Sequence, residues 1–139
     1  MPNFCPMTPA VLVVEPESSL RGRIAWCLLA RGYRVLAAET VLEATHSLLA
    51  GGVDLMILDM DLPPAGARAL LRYMSEDAEL AQTRVVVMGK TPPPDLNASF
   101  LQKPFCDEDL VDSVYRMLGP PRRQSQSGNS PRLPEPSGV

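Results

Sequence analysis

Aromatic side chains make up only 5% of the 139 residues, so a core of stacked rings is excluded and packing must come mainly from Leu, Val, Ala and Met. Cysteine is equally scarce. Cys5, Cys27 and Cys106 are odd in number and share no metal-type spacing, which excludes a regular disulfide framework or a cysteine zinc site. A reducing cytoplasm is the expected location, with Cys27 a core residue on a helix. Basic charge is not in excess: 13 Lys+Arg face 16 Asp+Glu, a net charge of -3, so nucleic acid is not an expected partner. No apolar run approaches the roughly 20 residues of a membrane-spanning helix, and no membrane partner is expected. The opening MPNFCPMTPA has neither a basic stretch nor an apolar run, so no secretory signal is expected.

What is present suits one soluble domain. The length allows a single core and not two. Residues 1–118 carry 10 Lys+Arg and 15 Asp+Glu, net -5, whereas residues 119–139 carry 3 and 1, net +2. That last stretch holds 5 Pro, 3 Gly and 4 Ser but only Leu133 and Val139 as apolar side chains, so it reads as a disordered tail. Residues 1–9, with Pro2, Pro6 and Pro9, read as a short leader. The folded body is then 10–118.

Within the body, strand and helix signals alternate. Ala10-Val11-Leu12-Val13-Val14 is an apolar, β-branched run of the kind buried on both faces of a parallel sheet. Ser18 or Ser19 can cap a helix over about Leu20–Ala30, which Arg31-Gly32 ends. Tyr33–Ala38 reads as the second strand. Thr40 and Glu43 have capping-box spacing and open a helix that runs to about Ala50, before Gly51-Gly52. Val53–Leu58 is the third strand, and Pro63-Pro64-Ala65-Gly66 a turn before a helix of about Ala67–Ser75. Arg84–Met88 and Phe100-Leu101-Gln102 are the last two strands. Asp107, Glu108 and Asp109 open a final helix, favourable for its dipole, that ends near Leu118. This alternation predicts a doubly wound α/β domain with a five-stranded parallel sheet; it resembles the flavodoxin-like kind, which implies the order 2-1-3-4-5. In such folds ligands bind beyond the carboxyl ends of the strands.

Three chemically useful residues fall at those ends. Glu15 follows the first strand, Asp59 ends the third with Asp61 just beyond, and Lys103 follows the fifth. Strands lie about 5 Å apart, so Glu15, Asp59 and Lys103 should share one rim. Two carboxylates about 4 Å apart repel by about 4 kcal/mol at an effective dielectric near 20, so the cluster needs a cation, Mg²⁺ or a lysine. An Asp beside a Lys can also accept a phosphoryl group as an acyl phosphate.

The segments Val11-Leu12-Val13-Val14-Glu15-Pro16-Glu17, Asp54-Leu55-Met56-Ile57-Leu58-Asp59-Met60-Asp61-Leu62-Pro63 and Lys103-Pro104-Phe105 resemble the receiver domain of two-component response regulators. The resemblance covers about residues 10–118. It implies that Asp59 is the phosphoryl acceptor, that Lys103 binds the acyl phosphate, and that Glu15, Asp59 and Asp61 hold Mg²⁺ weakly. It also implies a histidine kinase or phosphotransfer protein as donor, and output through an unidentified downstream protein.

The chain also departs from that pattern. Receivers place two adjacent acids after the first strand, where this chain has Glu15 and Pro16. Receivers carry Thr or Ser after the fourth strand, where this chain has Gly89, with Thr91 two residues late. Phe100 keeps the aromatic switch position. Between Gly89 and Lys103 only thirteen residues remain, including Pro92-Pro93-Pro94, so the fourth helix of a receiver should be missing or reduced to one turn.

The leading expectation is an atypical stand-alone receiver, not an enzyme. The competing expectation is a pseudo-receiver with the same fold and no phosphotransfer. A third, from Asp59-Met60-Asp61, is a haloacid-dehalogenase-like phosphohydrolase, but its motif belongs on the first strand and no later acidic pair supplies metal. His46 carries no expected chemistry. Cys106 lies where a helix N-terminus lowers a thiol pKa, and Trp26 is expected to pack or to anchor a surface.

Overall fold

The computed structural model describes residues 8–62, 66–94, 96 and 98–121. The leader up to residue 7 with Cys5, the turn residues 63–65 and the tail from residue 122 lie outside the described residues.

Five short strands form one parallel sheet. They are β1 (Ala10–Val14), β2 (Arg34–Ala38), β3 (Leu55–Asp59), β4 (Arg84–Gly89) and β5 (Ser99–Gln102), ordered β2-β1-β3-β4-β5. The helices are α1 (Ser18–Ala30), α2 (Val41–Ala50), α3 (Gly66–Ser75) and α4 (Asp107–Leu118), with a 3-10 turn at Leu80–Gln82 that the sequence did not signal. Every residue of β1 and β3 is buried, which is why both read as continuous apolar runs. Alternate side chains serve opposite faces. Val11 and Val13 pack with Ile24, Leu28, Leu110 and Val114 beneath α1 and α4. Leu12 and Val14 pack with Ala44, Leu48, Leu70 and Met74 beneath α2 and α3. The expected sheet order and doubly wound architecture are therefore present.

Local signals held unevenly. Thr40 Oγ1 accepts the Glu43 N–H at 3.1 Å, while Glu43 Oε1 accepts the Glu39 N–H at 2.7 Å, so the capping box forms with its return bond one residue early. The expected Ser18 or Ser19 cap does not form. Glu17 is the N-cap of α1, without a side-chain cap bond, and its own N–H donates to Glu15 Oε2 at 3.1 Å. The third strand starts at Leu55 and not at Val53, since Asp54 turns its carboxylate back to the Ala10 N–H at 2.9 Å.

Two further features differ from an ordinary receiver outline or close the domain. No helix occurs among the described residues between Gly89 and Ser99, as the proline run predicts. The end of α4 is tied to the start of β2, where the Tyr33 hydroxyl donates to Gly119 O at 2.9 Å. Gly32 sits between them at φ +97°, and a Cβ there would lie 3.3 Å from Pro121 Cγ. Cys27 is buried in the core as expected, whereas Trp26 is 74% exposed and does not pack into it.

Candidate functional site

Glu15 and Asp59 are the only buried polar or charged side chains among the described residues, at 2% and 1% exposure. Each is placed by backbone pairing at a strand end. The Glu15 N–H donates to Ala38 O at 3.0 Å, extending the β1–β2 ladder by one residue. Asp59 closes β3 opposite Met88 of β4, and the next residue, Met60, donates its N–H to Met88 O at 2.9 Å. Lys103 is brought to the same rim by its own N–H, which donates to Gly89 O at 2.8 Å. The Lys103–Pro104 peptide is cis.

The three side chains meet in one cluster. Lys103 Nζ lies 3.0 Å from Glu15 Oε1 and 3.2 Å from Asp59 Oδ1. Glu15 Oε2 takes the Glu17 N–H at 3.1 Å, and Asp59 Oδ1, the oxygen that faces Nζ, also takes the Asp61 N–H at 3.0 Å. Burial disfavours the charged ammonium of Lys103. The hydrogen bond to Glu15 and the charge of Asp59 outweigh it, and the pKa of Lys103 is held above the ordinary lysine value. The ammonium is thus fixed as a cation between two buried anions, leaving the cluster with a net charge of about -1.

Other residues expected at the site stand apart from it. Asp61 is exposed and reaches Asp59 only through its backbone N–H. Gly89 contributes no hydroxyl, and Thr91 is exposed. Phe100 is half-buried, its ring edge 3.6 Å from where a Cβ on Gly89 would stand. His46 is exposed. Cys106 is the exposed N-cap of α4. The Asp109 backbone N–H favours its thiolate, but the neighbouring acids Asp109 and Glu108 outweigh that bond and raise the thiol pKa, opposite to the helix-terminus expectation.

Two arginines that the sequence did not single out brace the rim. Arg21 Nη1 donates to Glu15 O at 2.8 Å and to Pro16 O at 3.3 Å, clamping the loop after β1. Arg23 donates to Phe105 O and pairs with Asp107, joining α1 to the loop before α4. Arg23 has no local motif, because its partners Phe105 and Asp107 lie 82 and 84 residues away, whereas Arg21 reaches carbonyls only six and five residues back. A cleft of about 490 Å³ opens beside Lys103, lined by Arg23 and Lys90 together with the apolar Leu20 and Phe105.

Receiver domains generally bind Mg²⁺ among such acids, and Mg²⁺ needs a near-octahedral set of oxygens. Among the described residues no group of three or more Asp, Glu, His or Cys is placed to hold a metal. Pro16 has no donor, Asp61 is exposed, and both buried carboxylates already share one ammonium. The residues present do not fit the ion.

No family model matches the chain. It is 32% identical over 122 residues to the sensor kinase CckA of Brucella abortus (strain 2308), matching 78% of this chain and 12% of that protein. It is 27% identical over 121 residues to the phosphate regulon transcriptional regulatory protein PhoB of Pseudomonas aeruginosa, of which it spans 53%. The chain therefore spans only part of these curated relatives. Among solved structures, the receiver domain of the hybrid histidine kinase CckA is 30% identical, with a TM-score of 0.68 over 78% of this chain and 98% of that one. An alignment that is 30% identical and consumes 98% of that receiver domain leaves one conclusion. The chain belongs to the receiver-domain family of two-component response regulators.

Proposed function

We propose that this receiver accepts a phosphoryl group on Asp59 and signals through contacts with other proteins. The observation that carries this reading is the buried Asp59 carboxylate at the end of β3 with the Lys103 ammonium 3.2 Å away. In the step, an Asp59 carboxylate oxygen attacks phosphorus of a phosphohistidine. A P–O bond forms, the P–N bond breaks, and the imidazole nitrogen keeps the electron pair and takes a proton from solvent. Lys103 then faces the transferred phosphoryl oxygens. The donor is a histidine kinase or a phosphotransfer protein, a partner class supported by the sensor-kinase relative. The cleft walled by Arg23 and Lys90 suits the approach of an anionic group. No step is assigned to a metal. Without a hydroxyl at Gly89, output does not use a hydroxyl shift toward the phosphoryl group.

Radiolabelled acetyl phosphate tests the reading directly. Wild type should take up label and Asp59→Asn should not. Equal labelling of both removes Asp59 from the role.

A second reading is a pseudo-receiver that binds its partner without phosphotransfer. It is favoured by the sealing of both carboxylates under Lys103 and by the missing hydroxyl. Wild type that stays unlabelled by both acetyl phosphate and a histidine kinase supports it. The hydrolase reading is set aside by the family, and by Asp61, whose exposed side chain is not part of the buried cluster.

A further inference from the structure

We infer that Lys103 is the resident cation of this site, and that charge balance at Glu15, Asp59 and Pro16 keeps divalent metal out of the wild-type pocket. The inference deepens the reading of Glu15, Asp59 and Lys103 as one site, but it does not depend on phosphotransfer.

A receiver with two adjacent acids after the first strand, an acceptor Asp and a Lys carries a net -2, which one divalent cation neutralises. Here Pro16 stands where the second acid would be, so Glu15, Asp59 and Lys103 sum to -1. A divalent ion would turn the cluster to +1 in a pocket where the anions are 2% and 1% exposed. It would also have to compete with the ammonium for the same two carboxylates, 3.0 and 3.2 Å from Nζ. The ammonium starts with the advantage, because its attachment to the chain spares it the loss of translational freedom that a free ion incurs. The Glu17 and Asp61 N–H groups also hold Glu15 Oε2 and Asp59 Oδ1, the latter shared with Nζ, so a metal would have to displace contacts already made. Mg²⁺ dehydrates reluctantly and needs several oxygens to do so.

The test is a restoration. Pro16 is exposed and stands just before the N-cap of α1, where an acidic side chain faces the positive end of the helix dipole. Pro16→Asp returns the missing acid and brings the cluster to -2. Thermal melts are run in EDTA, and in MgCl₂ up to 10 mM against NaCl of equal ionic strength. Wild type should not respond to Mg²⁺ specifically. Pro16→Asp should gain a saturable rise of about 4 °C, the size expected for a millimolar site in a domain of this length. Lys103→Gln gives a second arm: its Tm should fall in EDTA and recover in part with Mg²⁺. If Lys103→Gln fails to fold, the Pro16→Asp comparison decides alone.

A saturable, EDTA-reversible rise in wild type at 1 mM Mg²⁺ overturns the inference. So does a Pro16→Asp protein as indifferent to Mg²⁺ as wild type, because the balance of charge is then not what governs the site. No phosphodonor is present in these measurements, so the labelling result for Asp59 stands or falls separately. Acetyl-phosphate labelling of wild type that requires Mg²⁺ overturns the resident-cation assignment while keeping Asp59 as acceptor.

Discussion

Lys103 and Glu15 are separated by 88 residues in the chain and by 3.0 Å in the fold. The same ammonium reaches Asp59, so a single lysine closes a contact among β1, β3 and the loop after β5. This contact makes the burial of two carboxylates tolerable, since each isolated anion costs several kcal/mol to dehydrate.

Removing that cation should therefore be expensive. Lys103→Ala leaves two buried anions facing each other, and a loss of about 3–5 kcal/mol is expected in urea unfolding. A loss below about 1 kcal/mol would show that the carboxylates rehydrate without cost.

The same pairing sets an alkaline limit. The folded pKa of Lys103 lies above its ordinary value, so its contribution is complete below about pH 10.4 and is lost as pH rises through the folded value. The stability difference between wild type and Lys103→Gln should be flat from pH 8 to 10 and should shrink above that range. Urea melts at stepped pH measure it. A difference that grows with pH contradicts the assignment.

Tyr33→Phe isolates the tie between the end of α4 and β2. The lost bond to Gly119 O should cost about 1 kcal/mol. Burial, with a smaller contribution from Tyr115, also raises the pKa of the Tyr33 hydroxyl, so its bond is complete below about pH 10 and is lost as pH climbs through the folded value. Wild type and Tyr33→Phe should accordingly converge at high pH.

Gly89→Ala should stabilise the protein by about 0.5–1 kcal/mol. Gly89 lies in β4, its φ is not positive, and an added Cβ meets Phe100 Cε1 and Met60 Cβ at 3.6 and 3.8 Å, ordinary contact distances. A decrease in Tm would mean that Phe100 must move to admit even one methyl group.

Much of this was legible along the chain. Apolar runs of five residues separated by amphipathic stretches define a parallel α/β sheet, because only strands covered on both faces are apolar throughout. Asp59 and Lys103 could be singled out because the architecture sends strand carboxyl ends to one rim. The proline run after Gly89 left room for at most one helical turn for a purely local reason: proline has no N–H to give and its ring clashes with the preceding turn.

Other features had no local signature. Arg21 and Arg23 look like any surface arginines of a helix until their carbonyl partners are placed. Asp54 reads as a polar slip in a strand until Ala10 arrives beside it. The thiol of Cys106 needed the positions of Asp109 and Glu108 before the direction of its shift could be assigned.

By itself the sequence determined the alternation of strands and helices, the lack of a full helix in the proline run and the residue types at the strand ends, since these follow from periodicity, backbone geometry and spacing. Only the tertiary structure decided that Lys103 bridges Glu15 and Asp59 while Asp61 stays outside. Ion pairing across a buried rim depends on distances of about 3 Å between residues far apart in the chain, and no pattern of neighbours encodes those distances.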